Sequence, residues 1–307
     1  MAKVVCVGEV MVELARGNDG RFGLAFGGDT FNTAVYLARA GIETAYATAL
    51  GDDAYSAQIL ELAATEGVER DAVLIAKGRV PGLYLITTDD RGERTFHYWR
   101  DTAPARSLFE FEGWQGVAEI LVDARATYFS GITLSLYSNV GLGRFLAALE
   151  MAGERGAWRV FDGNYRPRGW GGDVTRARTV FAEALKRASI AMPTFEDEAA
   201  LWGDASPHAT IERMTTYGVG EVVVKNGAGG ALVYAEGRIV EVPVEREVRP
   251  VDTTGAGDSF NAAYLAARLK GASPEDAARA GHRLAGTVIM HRGAIIPRMS
   301  QEGLSAH

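Results

Sequence analysis

The sequence has 307 residues, 47% of them hydrophobic, which is enough to bury a large core without splitting the chain. A net charge of −7 gives no basic footprint for nucleic acid or an anionic membrane. A single cysteine, Cys6, excludes an intrachain disulfide and suits a reducing, cytoplasmic setting, and no apolar run is long enough to cross a bilayer.

In chain order, the N-terminus reads as a strand and not as a signal peptide. Val4–Val7 is a buried-type strand, with Cys6 an inert core thiol. Residues 30–40 form a helix that Gly41 ends. A strand over Thr44–Leu50 and a helix over 54–66 follow. Further strands are expected at 128–130, 159–162, 190–193 and Glu221–Lys225, with helices at 139–152 and 174–188. A hairpin runs through 231–234 and Arg238–Val242. Helices over Ala256–Leu269 and 274–290 close the pattern. Repeated β–α alternation predicts an α/β fold with a mostly parallel sheet covered on both faces, which binds ligands beyond the carboxyl ends of its strands.

Two pieces break the alternation. Residues 79–100 hold strand-like runs at 82–88 and 94–99, joined by the turn signal Asp89-Asp90-Arg91-Gly92. Residues 13–26 are short, polar and broken by glycine. Together they predict a small β lid over the ligand edge. Period-two geometry puts Tyr98 and Arg100 on one face of the second run, and His97 and Trp99 on the other. The first face offers a phenol and a guanidinium to something polar or anionic, unless it is simply solvated.

The most informative stretch is Val251-Asp-Thr-Thr-Gly-Ala-Gly-Asp-Ser-Phe260. Asp252 or Thr254 could cap a helix here, with the glycines as a turn. Yet Gly255, Ala256 and Gly257 leave room for a phosphate at the unpaired amides of a helix's first turn. A carboxylate facing that phosphate, Asp258, makes sense if it takes a proton from an attacking hydroxyl. A phosphate cradle with a general base means phosphoryl transfer. No Lys-Ser or Lys-Thr follows the glycines, so this is no Walker loop. The chain also lacks Gly-x-Gly-x-x-Gly after its first strand, which argues against a dinucleotide-dependent oxidoreductase. Asn32, in the first turn of the helix after Gly27-Gly28, can point a donor and an acceptor at a sugar hydroxyl. Asp29 or Thr30 there could equally be a cap. By spacing alone, Lys225-Asn-Gly-Ala-Gly-Gly230 is an ordinary hairpin turn. His208, His291 and His307 show no metal-ligand spacing, and Trp114, Trp158, Trp170 and Trp202 read as packing residues. Pro104 and the acidic run at 110–112 read as loop.

The segment 251–260 resembles the second signature of the ribokinase (PfkB) family of carbohydrate kinases. Gly27-Gly-Asp-Thr-Phe-Asn-Thr-Ala-Val-Tyr-Leu-Ala-Arg-Ala-Gly41 resembles the first. The resemblance implies one ribokinase-like unit over 1–307, with a lid made by about 13–26 and 79–100 that often serves as a dimer contact. It implies ATP and Mg²⁺ as cofactors, Asp258 as catalytic base, and Gly255, Ala256 and Gly257 as the anion hole. Pro81-Gly-Leu-Tyr, Gly92-Glu-Arg-Thr-Phe-His-Tyr-Trp-Arg100, Phe161-Asp-Gly-Asn-Tyr-Arg-Pro-Arg168 and Arg292-Gly-Ala-Ile-Ile-Pro297 look like the family's branch acting on 2-keto-3-deoxygluconate. That likeness implies substrate contacts by Gly28, Asp29, Asn32, Tyr84, Tyr98, Arg100 and Arg166, with the two arginines on a carboxylate. It also implies that Lys225, Gly227 and Gly230 line the nucleotide, that His282 lies near the adenine, and that Asn164 touches phosphate or a magnesium-bound water. Asp252 and Thr254, with 292–293, match a monovalent-cation (potassium) loop of relatives. Where many members carry Asn-x-x-Glu, this chain has Thr194-Phe-Glu-Asp197, so Asp197 is expected to act on magnesium only through water. Two alternatives stay open: a kinase for a neutral sugar or nucleoside, and a non-catalytic sensor on the same fold.

Overall fold

The structure, a computed structural model, describes residues 3–17, 19–88, 94–246 and 248–298. The predicted turn at 89–92 and His307 lie outside the described residues. The chain begins with strands β1 (Val4–Val7), β2 (Met11–Arg16) and β3 (Phe22–Gly27), then helix α1 (Asp29–Arg39). Next come β4 (Thr44–Leu50), α2 (Ala54–Thr65), β5 (Val68–Glu69), β6 (Val73–Ile75), β7 (Leu83–Thr88) and β8 (Arg94–Trp99). The middle holds α3 (Trp114–Val122), β9 (Ala126–Ser130), α4 (Gly131–Leu136), α5 (Asn139–Glu154), β10 (Trp158–Asp162) and α6 (Val174–Leu185). Then follow β11 (Ile190–Ala191), α7 (Phe195–Trp202), α8 (Pro207–Thr216), β12 (Glu221–Lys225), β13 (Ala231–Ala235), β14 (Arg238–Val242), α9 (Ala256–Leu269) and α10 (Pro274–Val288).

Among the described residues the large sheet runs in the order β14-β13-β12-β11-β10-β9-β1-β4-β5, with β6 also on β4. Its pairs from β12 to β5 are parallel, and the β12–β13–β14 edge is antiparallel. β1 shows why the sheet is covered twice. Val5 and Val7 join one apolar cluster with Phe129, Phe145 and Phe181, whereas Val4 and Cys6 join the other with Phe31, Tyr264 and Leu265. A strand buried on both faces needs apolar side chains at every position, and Val-Val-Cys-Val supplies them. Cys6 is a buried free thiol.

The two pieces expected to form a lid make a second, small sheet in the order β3-β2-β7-β8. β2 runs antiparallel to β3 but parallel to β7, and β7 and β8 form the hairpin. The register sets Glu13, Tyr84 and Tyr98 side by side in one row. Because strand side chains alternate, that row shares its face with Arg100, while Trp99 (61% exposed) points the other way. The reading of Pro104 as loop needs correction: Pro104–Ser107 is a 3-10 turn.

Candidate active site

Gly255 opens α9 in the left-handed region, at φ 76°, and a Cβ there would sit 2.8 Å from Ala294. Only glycine takes that turn without strain. Among the described residues, the N–H groups of Gly255, Gly257 and Asp258 find no protein acceptor, whereas Ala256 N–H donates to Thr253 O at 3.2 Å. Of the expected amides, that of Ala256 closes the turn, while the amide of Asp258 beside them is unclaimed among the described residues. A helix N-terminus with unsatisfied amides is a site for an anion.

Asp258 is partly exposed. Asn32, in the first turn of α1, donates from Nδ2 to its Oδ2 at 2.8 Å. Burial pushes the Asp258 carboxyl up to about 8; Asp29 and Asp162 add to the rise, and the bond from Asn32 and the charge of Lys225 oppose it. α1 can approach this closely because its cap is Gly28, where a Cβ would lie 2.1 Å from the Glu9 carbonyl oxygen. Asp29 is raised too, chiefly by burial, and accepts from Asn164 Nδ2 at 2.9 Å. Asn164 holds a positive φ of 35°, a strained position for a non-glycine residue beside the site.

Beneath the α9 turn lies a closed polar network. Lys225 Nζ donates to Asn261 Oδ1 at 2.9 Å and reaches Asp162 at 3.4 Å, and Asn261 Nδ2 donates to Asp162 at 2.9 Å and to the Tyr128 hydroxyl at 2.8 Å. Lys225 also faces the turn, with Nζ 3.7 Å from where a Gly257 Cβ would be. Its charge thus lies beside the α9 turn.

The small sheet brings its row to the same place. The Tyr84 hydroxyl donates to Glu13 and lies 3.0 Å from the Cβ position of Gly27. The Tyr84 and Tyr98 rings are 5.9 Å apart, and the guanidinium groups of Arg100 and Arg168 lie 5.8 and 5.4 Å from the Tyr98 ring. Neither arginine expected on a carboxylate lacks a partner. Arg100 is ion-paired with buried Glu9. Arg166 Nη1 donates to both oxygens of Asp197, at 2.9 and 3.0 Å. Asp197, expected to reach magnesium through water, thus also holds Arg166.

At the other end, Gly230 and His282 converge on Val242. A Cβ on Gly230 would meet Val242 O at 2.5 Å, and His282 Nε2 lies 3.1 Å from the same oxygen. The His282 ring stands edge-on to Phe260, and burial lowers its pKa. Gly227 begins an exposed 3-10 turn. Asp252 ties the loops on either side of α9 and α10 together, accepting from Thr254 N at 2.9 Å and Gly293 N at 2.8 Å. Among the described residues no three His, Cys, Asp or Glu side chains gather in a way that could hold a metal ion. The cavities of about 400 and 490 Å³ elsewhere on the molecule are lined by none of the predicted site residues.

Sequence reading passed over Glu9, Glu13, Asp162 and Asn261. Asp162 and Glu9 carried a signal, since one ends an apolar strand and the other follows a strand and its glycine. Asn261 carried none.

The profile of the pfkB family carbohydrate kinases matches residues 1–301. The 2-dehydro-3-deoxygluconokinase of Escherichia coli (strain K12) is 43% identical over 304 residues, covering 96% of this chain and 97% of that protein. The enzyme of the same name from Dickeya dadantii is 41% identical over 302 residues, covering 96% of each. Among solved structures, 2-dehydro-3-deoxygluconokinase from Thermotoga maritima superposes with a TM-score of 0.85 at 22% identity, over 100% of this chain and 98% of that one. Fructokinase with bound ATP from Xylella fastidiosa gives 0.83 at 22%, over 99% and 97%. At such identities the superpositions establish the ribokinase-like fold, while the profile and the sequence relatives establish descent: the chain belongs to the PfkB family of carbohydrate kinases.

Proposed function

We propose that the protein transfers the γ-phosphoryl group of ATP to the terminal (C6) hydroxyl of 2-keto-3-deoxygluconate, giving 2-keto-3-deoxy-6-phosphogluconate. The observation that carries this reading is the placement of Asp258, a partly exposed carboxylate held by Asn32 on a helical turn with three unclaimed amides. The relatives that are 36–43% identical, all named 2-dehydro-3-deoxygluconokinase, support the choice of acceptor.

In this mechanism Asp258 accepts the proton of the attacking hydroxyl. The amides of Gly255, Gly257 and Asp258, with Lys225, take up charge on the transferring phosphoryl group. Gly28, Asp29 and Asn32 line the sugar from below, and Tyr84 and Tyr98 cover it from the lid, excluding water. Arg100 and Arg166 face the carboxylate end. The loop of Gly227 and Gly230, together with His282, borders the nucleotide, and Asn164 the phosphates. Magnesium would arrive with ATP, keeping most of its waters, since among the described residues no three His, Cys, Asp or Glu side chains gather to hold it. Asp252 would order the 252–254 and 293 backbone toward a monovalent cation such as potassium.

The whole chain would work as one catalytic unit with its lid. The lid's outer face presents Phe22 (48% exposed), Leu24 (48%) and Trp99 (61%), which supports a homo-oligomer seated through that face. No described helix is long and apolar enough to cross a membrane, and the lone buried thiol suits the cytoplasm.

One observation favours a second reading. With Arg100 paired to Glu9 and Arg166 to Asp197, a neutral sugar would meet no uncompensated charge. An ATP-consumption assay across 2-keto-3-deoxygluconate, its galactonate epimer, ribose, fructose and adenosine separates the two. Highest kcat/KM on a keto-deoxy acid supports the proposal, and highest on a neutral acceptor replaces it.

A further inference from the structure

Glu9 follows Gly8 at the carboxyl end of β1 and is 3% exposed. Its ion-pair partner, Arg100, stands where β8 leaves the lid. The pair is packed shut. A Cβ on Gly82 would lie 2.7 Å from Glu9 Oε1 and 3.0 Å from the Arg100 Cβ, so glycine at 82 makes room for it. Both Glu9 oxygens and the Nε and Nη2 of Arg100 are closed to solvent. The remaining nitrogen, Nη1, is not among these closed-off atoms, and the side chain as a whole is 17% exposed.

Two consequences follow from this geometry. An arginine on a lid strand has many rotamers, and a buried carboxylate that fixes one of them removes an ordering cost from ligand binding. A compensated arginine also attracts stray anions, including the phosphates of ATP, less than a bare one would.

We infer that Glu9 is a positioning residue for acid-sugar recognition: it holds Arg100 so that Nη1 alone meets the substrate carboxylate, without touching substrate itself. This rests on the acid-sugar reading above. It also replaces a forked arginine contact with a single-nitrogen one.

The test is a double-mutant cycle in the full-length protein with Glu9→Ala, Arg100→Ala and the pair, reading KM and kcat for 2-keto-3-deoxygluconate and KM for ATP. Each single change is expected to raise the acid-sugar KM at least about tenfold, with ATP KM unmoved, and the double to be no worse than Arg100→Ala. Glu9→Gln, which keeps an acceptor at the same reach, should recover part of the loss. Should Glu9→Ala fail to fold, Glu9→Gln with and without Arg100→Ala closes the same cycle. Additive losses, or a rise in ATP KM equal to that for the sugar, would make Glu9 merely structural and overturn the proposal. If Arg100→Ala itself leaves the acid-sugar KM unchanged, the acid-sugar reading of the site fails and takes this one with it. If Arg100→Ala raises KM and Glu9→Ala does not, only the Glu9 role is lost.

Discussion

Asn32 and Asp258, 226 positions apart in the chain, are joined by a 2.8 Å hydrogen bond from the amide Nδ2 to the carboxylate. The bond welds the start of α1 to the start of α9. It ties a residue suited to hold a sugar hydroxyl to the residue suited to deprotonate it. Because the donor favours the ionised carboxylate, it works against the burial that raises Asp258 to about 8.

A pH dependence follows. The base must be ionised to act, so kcat/KM for the acceptor should climb as pH rises through about 8. Asn32→Ala removes the opposing bond and should move that limb to higher pH by roughly one unit. A steady-state pH–rate series on both proteins reads this directly. Stability has the opposite sign. A carboxyl whose folded pKa is raised binds its proton more tightly in the native state, so folding stability falls as pH rises between about 4 and 8. Asp258→Asn should therefore melt higher than the parent protein at pH 8, with the gap closing toward pH 4.

Gly255→Ala is expected to cost about 1–3 kcal/mol of stability, since it places a side chain at positive φ and against Ala294. Turnover should fall further than stability does, because the turn that the added Cβ would strain carries the free amides. Thermal melts beside kcat measurements separate the two effects.

Lys225 and Asp162 are both buried, and removing one leaves the other uncompensated. Lys225→Met should destabilise by about 3–5 kcal/mol. Adding Asp162→Asn should restore much of the stability but not the activity, because the cation beside Gly257 is still missing. Denaturant titrations of the three variants provide the check.

The outer face of the lid gives a prediction independent of the chemistry. Leu24→Glu together with Trp99→Glu should reduce the solution assembly to monomers, read by light scattering. An unchanged mass would exclude this face as the interface.

Much of the fold was legible because buried parallel strands and long amphipathic helices write their periods plainly. β1, β4, β12, β14 and α9 have the bounds that pattern alone suggests. α4 spans only six residues, too few to show a period. α8 was passed over despite its signal: Ser206 caps it, accepting from Ala209 N at 3.2 Å, and Pro207 begins it. In the site, residues within the two glycine-rich motifs could be found from local spacing. Their partners could not. Glu9 meets Arg100 from 91 positions away, and Asp197 meets Arg166 from 31. An arginine reads as a free cation until the fold shows which acid stands beside it.

The most direct measurement is single-turnover and steady-state phosphorylation by Asp258→Asn with 2-keto-3-deoxygluconate and ATP, alongside ATP binding by calorimetry. Its kcat should be lower by about 10²–10⁴-fold, with ATP affinity largely kept. Near-normal turnover by the folded variant would contradict this role for Asp258.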